Sequence, residues 1–271
     1  LSLKVTLLGT GTSHGVPMIG CDCSVCRSTD PRDRRSRPSI LLDLQPGGPV
    51  LPVSSMAAAT RYVLVDTSSD LRAQALTYDV RRVDAILFTH SHADHIFGLD
   101  EVRRYNSLQK EAIPCYADAG TAADLRRTFA YIFDTTTVPG GGIPQIVLSV
   151  LLGGPFCVGG VEIVPIPVLH GRRQILGFRI GSFAYLTDCS TIPDASWPLL
   201  DGVRTLVLDA LREKKHPTHF NVSDAIAAAA RIGATRTYFT HISHDLSHAA
   251  TCARLPPGVE LAYDGLVLTI E

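Results

Sequence analysis

The stretch Val83-Asp84-Ala85-Ile86-Leu87-Phe88, running without a break into Thr89-His90-Ser91-His92-Ala93-Asp94-His95, decides how this chain folds. Its first part is a short apolar run, the pattern of a buried strand. Its second part sets imidazoles and a carboxylate at that strand's C-terminal end, where open α/β sheets bind their ligands. Alternation at i and i+2 turns His90 and His92 to one side of an extended segment and leaves Asp94 and His95 to face a second ion. Imidazole with carboxylate suits zinc, manganese or iron, and two adjacent ions supply the paired charge that an in-line displacement needs. Solvated loop histidines are the bland alternative; four metal-competent groups behind one apolar run weigh against it.

Working outward, the same grammar repeats. Residues 3–8, 39–43 and 62–66 read as strands, 71–76 and 96–108 as helices, and 121–133 as a helix opened by Thr121. In the second half, strands over 161–168, 183–186, 205–208 and 236–240 end beside His170, Asp188, Asp209 and His241. A helix over 223–232 is capped by Ser223, and 261–270 reads as a closing hairpin around Asp264-Gly265. Two Gly/Pro-rich stretches oppose regular pairing: 45–59 is expected as a hairpin tip or surface excursion and 134–144 as a loop whose role composition does not give, with cover over the pocket as a hypothesis. No linker divides the chain, so residues 1–271 are expected to form a single domain, an α/β four-layer αββα sandwich.

With 45% hydrophobic and 19% charged residues and a formal net charge of -1, composition gives no electrostatic case for nucleic acid or a membrane. No apolar run reaches the roughly 18 residues that cross a bilayer, and the N-terminus lacks a signal-peptide layout, so the expected compartment is the cytoplasm. Seven cysteines are an odd number, and three of them crowd into Cys21-Asp22-Cys23-Ser24-Val25-Cys26. Thiols so close staple nothing, but as thiolates they can share one zinc ion, given a fourth ligand. Gly9-x-Gly11-x-x-x-Gly15 misses the dinucleotide spacing and reads instead as a turn passing the metal site.

On these residues the chain resembles the metallo-β-lactamase superfamily, whose HxHxDH motif is matched at His90, His92, Asp94 and His95. The resemblance spans the whole chain and implies that His90, His92 and His170 hold one ion, that Asp94, His95 and His241 hold the other, and that Asp188 bridges. It also implies that Asp66 steadies the histidine loop. His95 after Asp94 departs from the lactamases that place Arg there, which argues against antibiotic hydrolysis. Gly9-Thr10-Gly11, Gly15-Val16-Pro17 and Cys21-x-Cys23-x-x-Cys26 are together similar to PhnP-type phosphodiesterases, which act on cyclic phosphates including phosphoribosyl 1,2-cyclic phosphate. That likeness implies a structural zinc held by Cys21, Cys23, Cys26 and His244, beside two active-site zinc or manganese ions. His248 is taken as a surface residue.

The implied chemistry is hydrolysis by a hydroxide shared between the ions, with His219 in Pro217-Thr218-His219 as general acid and His216 a bystander. A small phosphodiester is the expected substrate. Arg103 and Arg104 are read as solvated helix charges before phosphate contacts. Rival readings are a transfer-RNA 3′-processing endonuclease, for which no basic Gly-rich arm is found, and a thioester or lactone hydrolase. A noncatalytic metal-dependent binding protein is the third, and the full ligand set argues against it. A homodimer is an expectation that the sequence does not test.

Overall fold

Alternation along the strands sorts apolar side chains onto the two faces of each sheet, and both faces are covered. Val63 and Val65 join Phe178, Phe183 and Tyr185 in a central core between two sheets. Leu64 and Ile86 point the other way, onto helices that contribute Leu71, Val102 and Leu125. Ala184 and Leu206 do the same on the far side, against Ala225 and Ala229. The result is four layers, αββα, whose central core draws on both halves of the chain. This computed structural model describes residues 2–45, 61–134 and 142–270.

The first sheet holds β1 (Ser2–Gly9), β2 (Ser39–Gln45), β3 (Tyr62–Val65), β4 (Ala85–Leu87), β5 (Ile113–Ala117), β6 (Ile146–Val150) and the closing strand β14 (Val267–Ile270). Their order is β14-β1-β2-β3-β4-β5-β6. The second sheet holds β7 (Phe156–Val158), β8 (Val161–His170), β9 (Arg173–Ile180), β10 (Phe183–Leu186), β11 (Thr205–Asp209), β12 (Arg236–Thr240) and β13 (Val259–Leu261), in the order β13-β12-β11-β10-β9-β8-β7. The helices are α1 (Leu71–Thr77), α2 (Ala93–Ile96), α3 (Val102–Gln109), α4 (Ala119–Thr128), α5 (Ala130–Phe133), α6 (Val222–Ile232) and α7 (His248–Cys252). Among the described residues no helix is long and apolar enough to cross a membrane.

Several sequence expectations are corrected. The helix expected over 96–108 is divided into α2, a 3-10 turn and α3. The division falls at Gly98, whose N–H goes to Thr67 O and whose absent Cβ would stand 2.1 Å from Ser68 O. Asp118, not Thr121, caps α4, its carboxylate accepting from Thr121 N at 2.6 Å, and Thr121 is buried one turn inside. Asn221, not Ser223, caps α6, accepting from Asp224 N at 2.7 Å. The expected closing hairpin does not form: β13 and β14 lie in different sheets, and the chain crosses over at Asp264, whose carboxylate accepts from Thr10 N and Ser36 N. His248 is 4% exposed rather than a surface residue, and its N–H donates to Asp33. Residues 46–60 and 135–141, the greater part of the two expected loops, lie outside the described residues.

Candidate metal centre

The C-terminal ends of strands from both sheets meet at one edge of the sandwich. Asp66 follows β3, His90 lies just past β4, His170 ends β8, Asp188 lies just past β10, Asp209 ends β11, and His241 follows β12. Parallel pairing of β3 with β4, and of β10, β11 and β12 in turn, forces these ends together. Asp66, Asp188 and His241 hold left-handed backbone, with φ of 63°, 55° and 59°. For residues with a Cβ this costs about 1–3 kcal/mol each and persists where the surroundings over-determine it, as at functional sites.

His90, His92, His170 and Asp188 bring their ligand atoms within 4.8 Å of one another, and so do Asp94, His95 and His241. His95 Nε2 lies 3.1 Å from Asp188 and 3.4 Å from Asp94; His241 Nε2 lies 3.2 Å from Asp188 and 3.6 Å from Asp94. Two donors each about 2.1 Å from one ion stand about 3–3.5 Å apart, so these separations fit shared coordination. The buried Nε2 atoms of His90, His95 and His241 and Oδ2 of Asp94 have no hydrogen-bond partner among the described residues. Buried lone pairs left unpaired and converging are what a cation site requires.

The Nδ1 atoms of His95, His90 and His170 are occupied, whereas His241 Nδ1 is buried without a partner among the described residues. His95 Nδ1 lies 2.8 Å from Asp66 Oδ2, His90 Nδ1 3.0 Å from Thr89 Oγ1, and His170 Nδ1 donates to Thr218 O at 2.8 Å. Asp66 also accepts from Thr89 N and Oγ1, which anchors the start of the histidine loop. Its carboxylate is wholly buried. At the far side, Ser91 and Arg173 both donate to Asp124, pinning the loop to the start of β9.

Electrostatics agree with a cation site. Burial alone would lower His95, but Asp188, Asp94 and Asp66 together outweigh it and raise its pKa. Burial would raise Asp94 and Asp188, and the surrounding imidazoles outweigh that and lower both. His90, His92 and His170 are lowered, chiefly by burial, and are therefore held neutral as ligands must be.

His219 stands at the edge of this cluster, its ring stacked on His241 at 4.7 Å and edge-on to His170 at 4.7 Å. Its Nδ1 lies 2.9 Å from Asp209 Oδ2, which leaves Nε2 as the free ring atom. The sequence reading missed Asp209 in this role, although it ends its strand just as Asp66 follows β3. His219 also lies within ligand reach of Asp188 and His241. His216 turns aside, its Nδ1 3.1 Å from Thr218 Oγ1. Arg103 pairs with Asp100 at 2.8 Å on its own helix turn, and Arg104 lines a separate groove between α1 and α3.

Cys21, Cys23, Cys26 and His244 form a second cluster, with His244 Nδ1 at 3.2, 3.5 and 3.6 Å from the three sulfurs. Zinc with thiolates at about 2.3 Å and nitrogen at about 2.0 Å in tetrahedral array needs S–N separations of about 3.5 Å. A backbone N–H from Cys26 helps hold the Cys23 thiol down at about 6, while burial pushes the Cys26 thiol up to about 11. The same two segments are also joined by buried Arg35, which pairs with Asp33 at 3.0 Å and donates to Ser243 O and Leu246 O. Gly11 bridges Ile242, so the glycine turn runs alongside His241.

Comparison with known proteins agrees with this geometry. The family described as the beta-lactamase superfamily domain matches residues 61–242. A solved structure of a diphosphatase from the PhnP family is 44% identical, covering all of this chain and 98% of that one, with a TM-score of 0.88. An octanoyltransferase of Porphyromonas gingivalis is 35% identical over 99% of this chain and 52% of its own length. A ribonuclease Z of Bradyrhizobium diazoefficiens is 27% identical over 47% of this chain and 42% of its own length. The chain thus spans about half the length of the curated relatives it matches.

Proposed function

Since the chain belongs to the metallo-β-lactamase superfamily of hydrolases and to its PhnP-type branch, we propose that it is a dinuclear-metal phosphodiesterase acting on small phosphodiesters, cyclic phosphates included. The observation that carries this reading is the convergence of buried, unpartnered Nε2 and carboxylate atoms from strand ends of both sheets. In it, His90, His92 and His170 would hold one divalent ion, Asp94, His95 and His241 would hold the second, and Asp188 would serve both. Such ions, zinc or manganese, bring water's pKa toward neutrality and offset charge on the phosphoryl oxygens.

The chain's own groups do the rest. Asp66 fixes the His95 ring and the Thr89 backbone, so the ligands are set before substrate arrives. Thr218 O holds the His170 ring from the loop that also carries His219. Asp209 accepts the Nδ1–H of His219, whose Nε2 then gives its proton to the leaving oxygen. The second ion cluster, Cys21, Cys23, Cys26 and His244, serves as a closed zinc site that ties the N-terminal loop to the turn after His241.

Octanoyl transfer belongs to a protein of which this chain matches about half, and the donor set here favours hydrolysis. Transfer-RNA processing rests on a match to less than half of the chain, and a net charge of -1 gives a polyanion little to hold. Metal analysis paired with a screen of cyclic phosphodiesters, linear phosphodiesters and thioesters tests the reading. Turnover of phosphodiesters with two active-site metals and one zinc per chain is expected; turnover confined to thioesters would replace it.

A further inference from the structure

The three histidines proposed for one ion come from two segments: His90 and His92 from the loop after β4, and His170 from the end of β8. Their rings are not held alike. His90 Nδ1 lies 3.0 Å from Thr89 Oγ1, and His170 Nδ1 donates to Thr218 O. His92, the most exposed of the three, has no hydrogen bond at either ring nitrogen among the described residues. A metal-binding imidazole is ordinarily oriented by a bond at its second nitrogen. For His92 the orientation comes instead from the backbone that carries it, and that backbone is anchored one residue away, at Ser91.

Ser91 Oγ donates to Asp124 Oδ2 on α4. Arg173 Nη2 reaches both groups, at 2.8 Å from Ser91 Oγ and 3.2 Å from Asp124 Oδ2. Arg127, one turn further along α4, donates to Asp124 Oδ1 at 2.7 Å. Of the two arginines Arg173 is the one that counts, since the Arg127 side chain is 80% exposed, where an ion pair contributes little, against 37% for Arg173. Arg173 is also the direct cross-strand partner of His170 in the β8–β9 ribbon, so the two side chains leave the same face. Three side chains thereby join the two segments that supply all three histidines. None of their hydrogen bonds reaches Asp94, His95 or His241. Those ligands are anchored elsewhere, His95 by Asp66 and the turn at His241 by the bond from Ile242 N to Thr10 O.

We infer that Asp124, acting through Ser91 and Arg173, is a positioning residue for one ion of the pair: it sets the affinity of the His90/His92/His170 site and leaves the Asp94/His95/His241 site alone. This rests on the two-ion reading proposed above. Removing the carboxylate releases the Ser91 hydroxyl and leaves Arg173 without its ion pair. Leu176 N still donates to Thr89 O at 3.0 Å, so β9 stays tied to the start of the loop while the His92 end gains freedom.

The test is calorimetric titration with manganese and, separately, with zinc, on full-length protein stripped of active-site metal by chelator. Wild type, Asp124→Ala, Ser91→Ala and the double variant are compared, with His92→Ala and His241→Ala marking which binding step belongs to which ion. Asp124→Ala and Ser91→Ala should each weaken the step that His92→Ala abolishes by roughly 10- to 100-fold. The step that His241→Ala abolishes should keep its wild-type affinity. The double variant should bind no more weakly than the weaker single variant, because both act through one contact. Asp124→Asn keeps an acceptor for Ser91 and gives up the ion pair; it should fall between wild type and Asp124→Ala, and it carries the test if Asp124→Ala folds poorly. Equal weakening of both steps would make Asp124 a general structural residue and overturn the assignment. Unchanged affinity in the single variants, or losses that add in the double variant, would overturn it too. Uptake of a single active-site ion by the wild type would instead overturn the two-ion reading, and the role of Asp124 is then decided by whether Asp124→Ala weakens that one step. No uptake at all would overturn both.

Discussion

Two metal-competent clusters stand three residues apart on one turn, at His241 and His244, and they are built in opposite ways. The His/Asp cluster gathers its donors from strand ends of both sheets, on backbone held in left-handed conformation at Asp66, Asp188 and His241. The Cys/His cluster takes three donors from one six-residue loop and one from the turn. In the first, carboxylates and imidazoles outnumber what one ion needs, and a further imidazole, His219, waits at the rim. In the second, three sulfurs and one nitrogen match the donor count of a closed tetrahedral zinc site. On the proposed reading, reactivity and stabilisation separate by donor arithmetic: surplus donors and an open edge for chemistry, a closed shell for anchoring.

Asp188→Ala breaks the comparison hardest. Turnover should fall on the order of a thousandfold or more, and the active-site metal should be lost while one zinc per chain stays with the cysteines, as read by metal analysis. Loss of all metal from this variant would show that the clusters are not independent. His219→Ala should cost roughly 10²- to 10⁴-fold in turnover with the metal content intact. A drop in bound metal would instead make His219 a ligand. Asp209→Asn, which replaces the carboxylate acceptor of His219 Nδ1–H by a neutral amide, should lower turnover by roughly 10- to 100-fold; kinetics matching the wild type would separate Asp209 from the mechanism.

On the other side of the comparison, Cys23→Ser should remove one zinc equivalent and lower the thermal midpoint by roughly 5–10 °C, several kcal/mol at the roughly 2–4 °C per kcal/mol typical of larger domains. A variant that keeps its zinc or its midpoint would leave those thiols without a structural role.

The legible parts of this molecule are those whose determinants are close in sequence. His90, His92, Asp94 and His95 announce themselves because one short loop carries them behind one apolar run. Cys21, Cys23 and Cys26 do so by their spacing. His170, Asp188 and His241 were found through family resemblance, since each alone is only a polar residue at a strand end. What stayed hidden depends on distant partners. The Asp264-Gly265 pair has the look of a hairpin turn, yet Asp264 is engaged by Thr10 and Ser36, 254 and 228 positions away, and the chain changes sheets there. Gly98 falls inside the helix expected over 96–108, and the Ser68 carbonyl that crowds it arrives from another segment. Thr121 and Ser223 are both plausible caps, but Asp118 and Asn221, each three residues ahead of the amide it accepts from, won those positions.

The central claim is that the His/Asp cluster is a metal-dependent phosphodiesterase site. It is tested most directly by the turnover of bis-p-nitrophenyl phosphate in protein stripped by chelator and then reconstituted with manganese or zinc. Activity should disappear on stripping and return with at least one of the two metals. Absence of turnover with both, in folded protein that has rebound metal at the cluster, would contradict it.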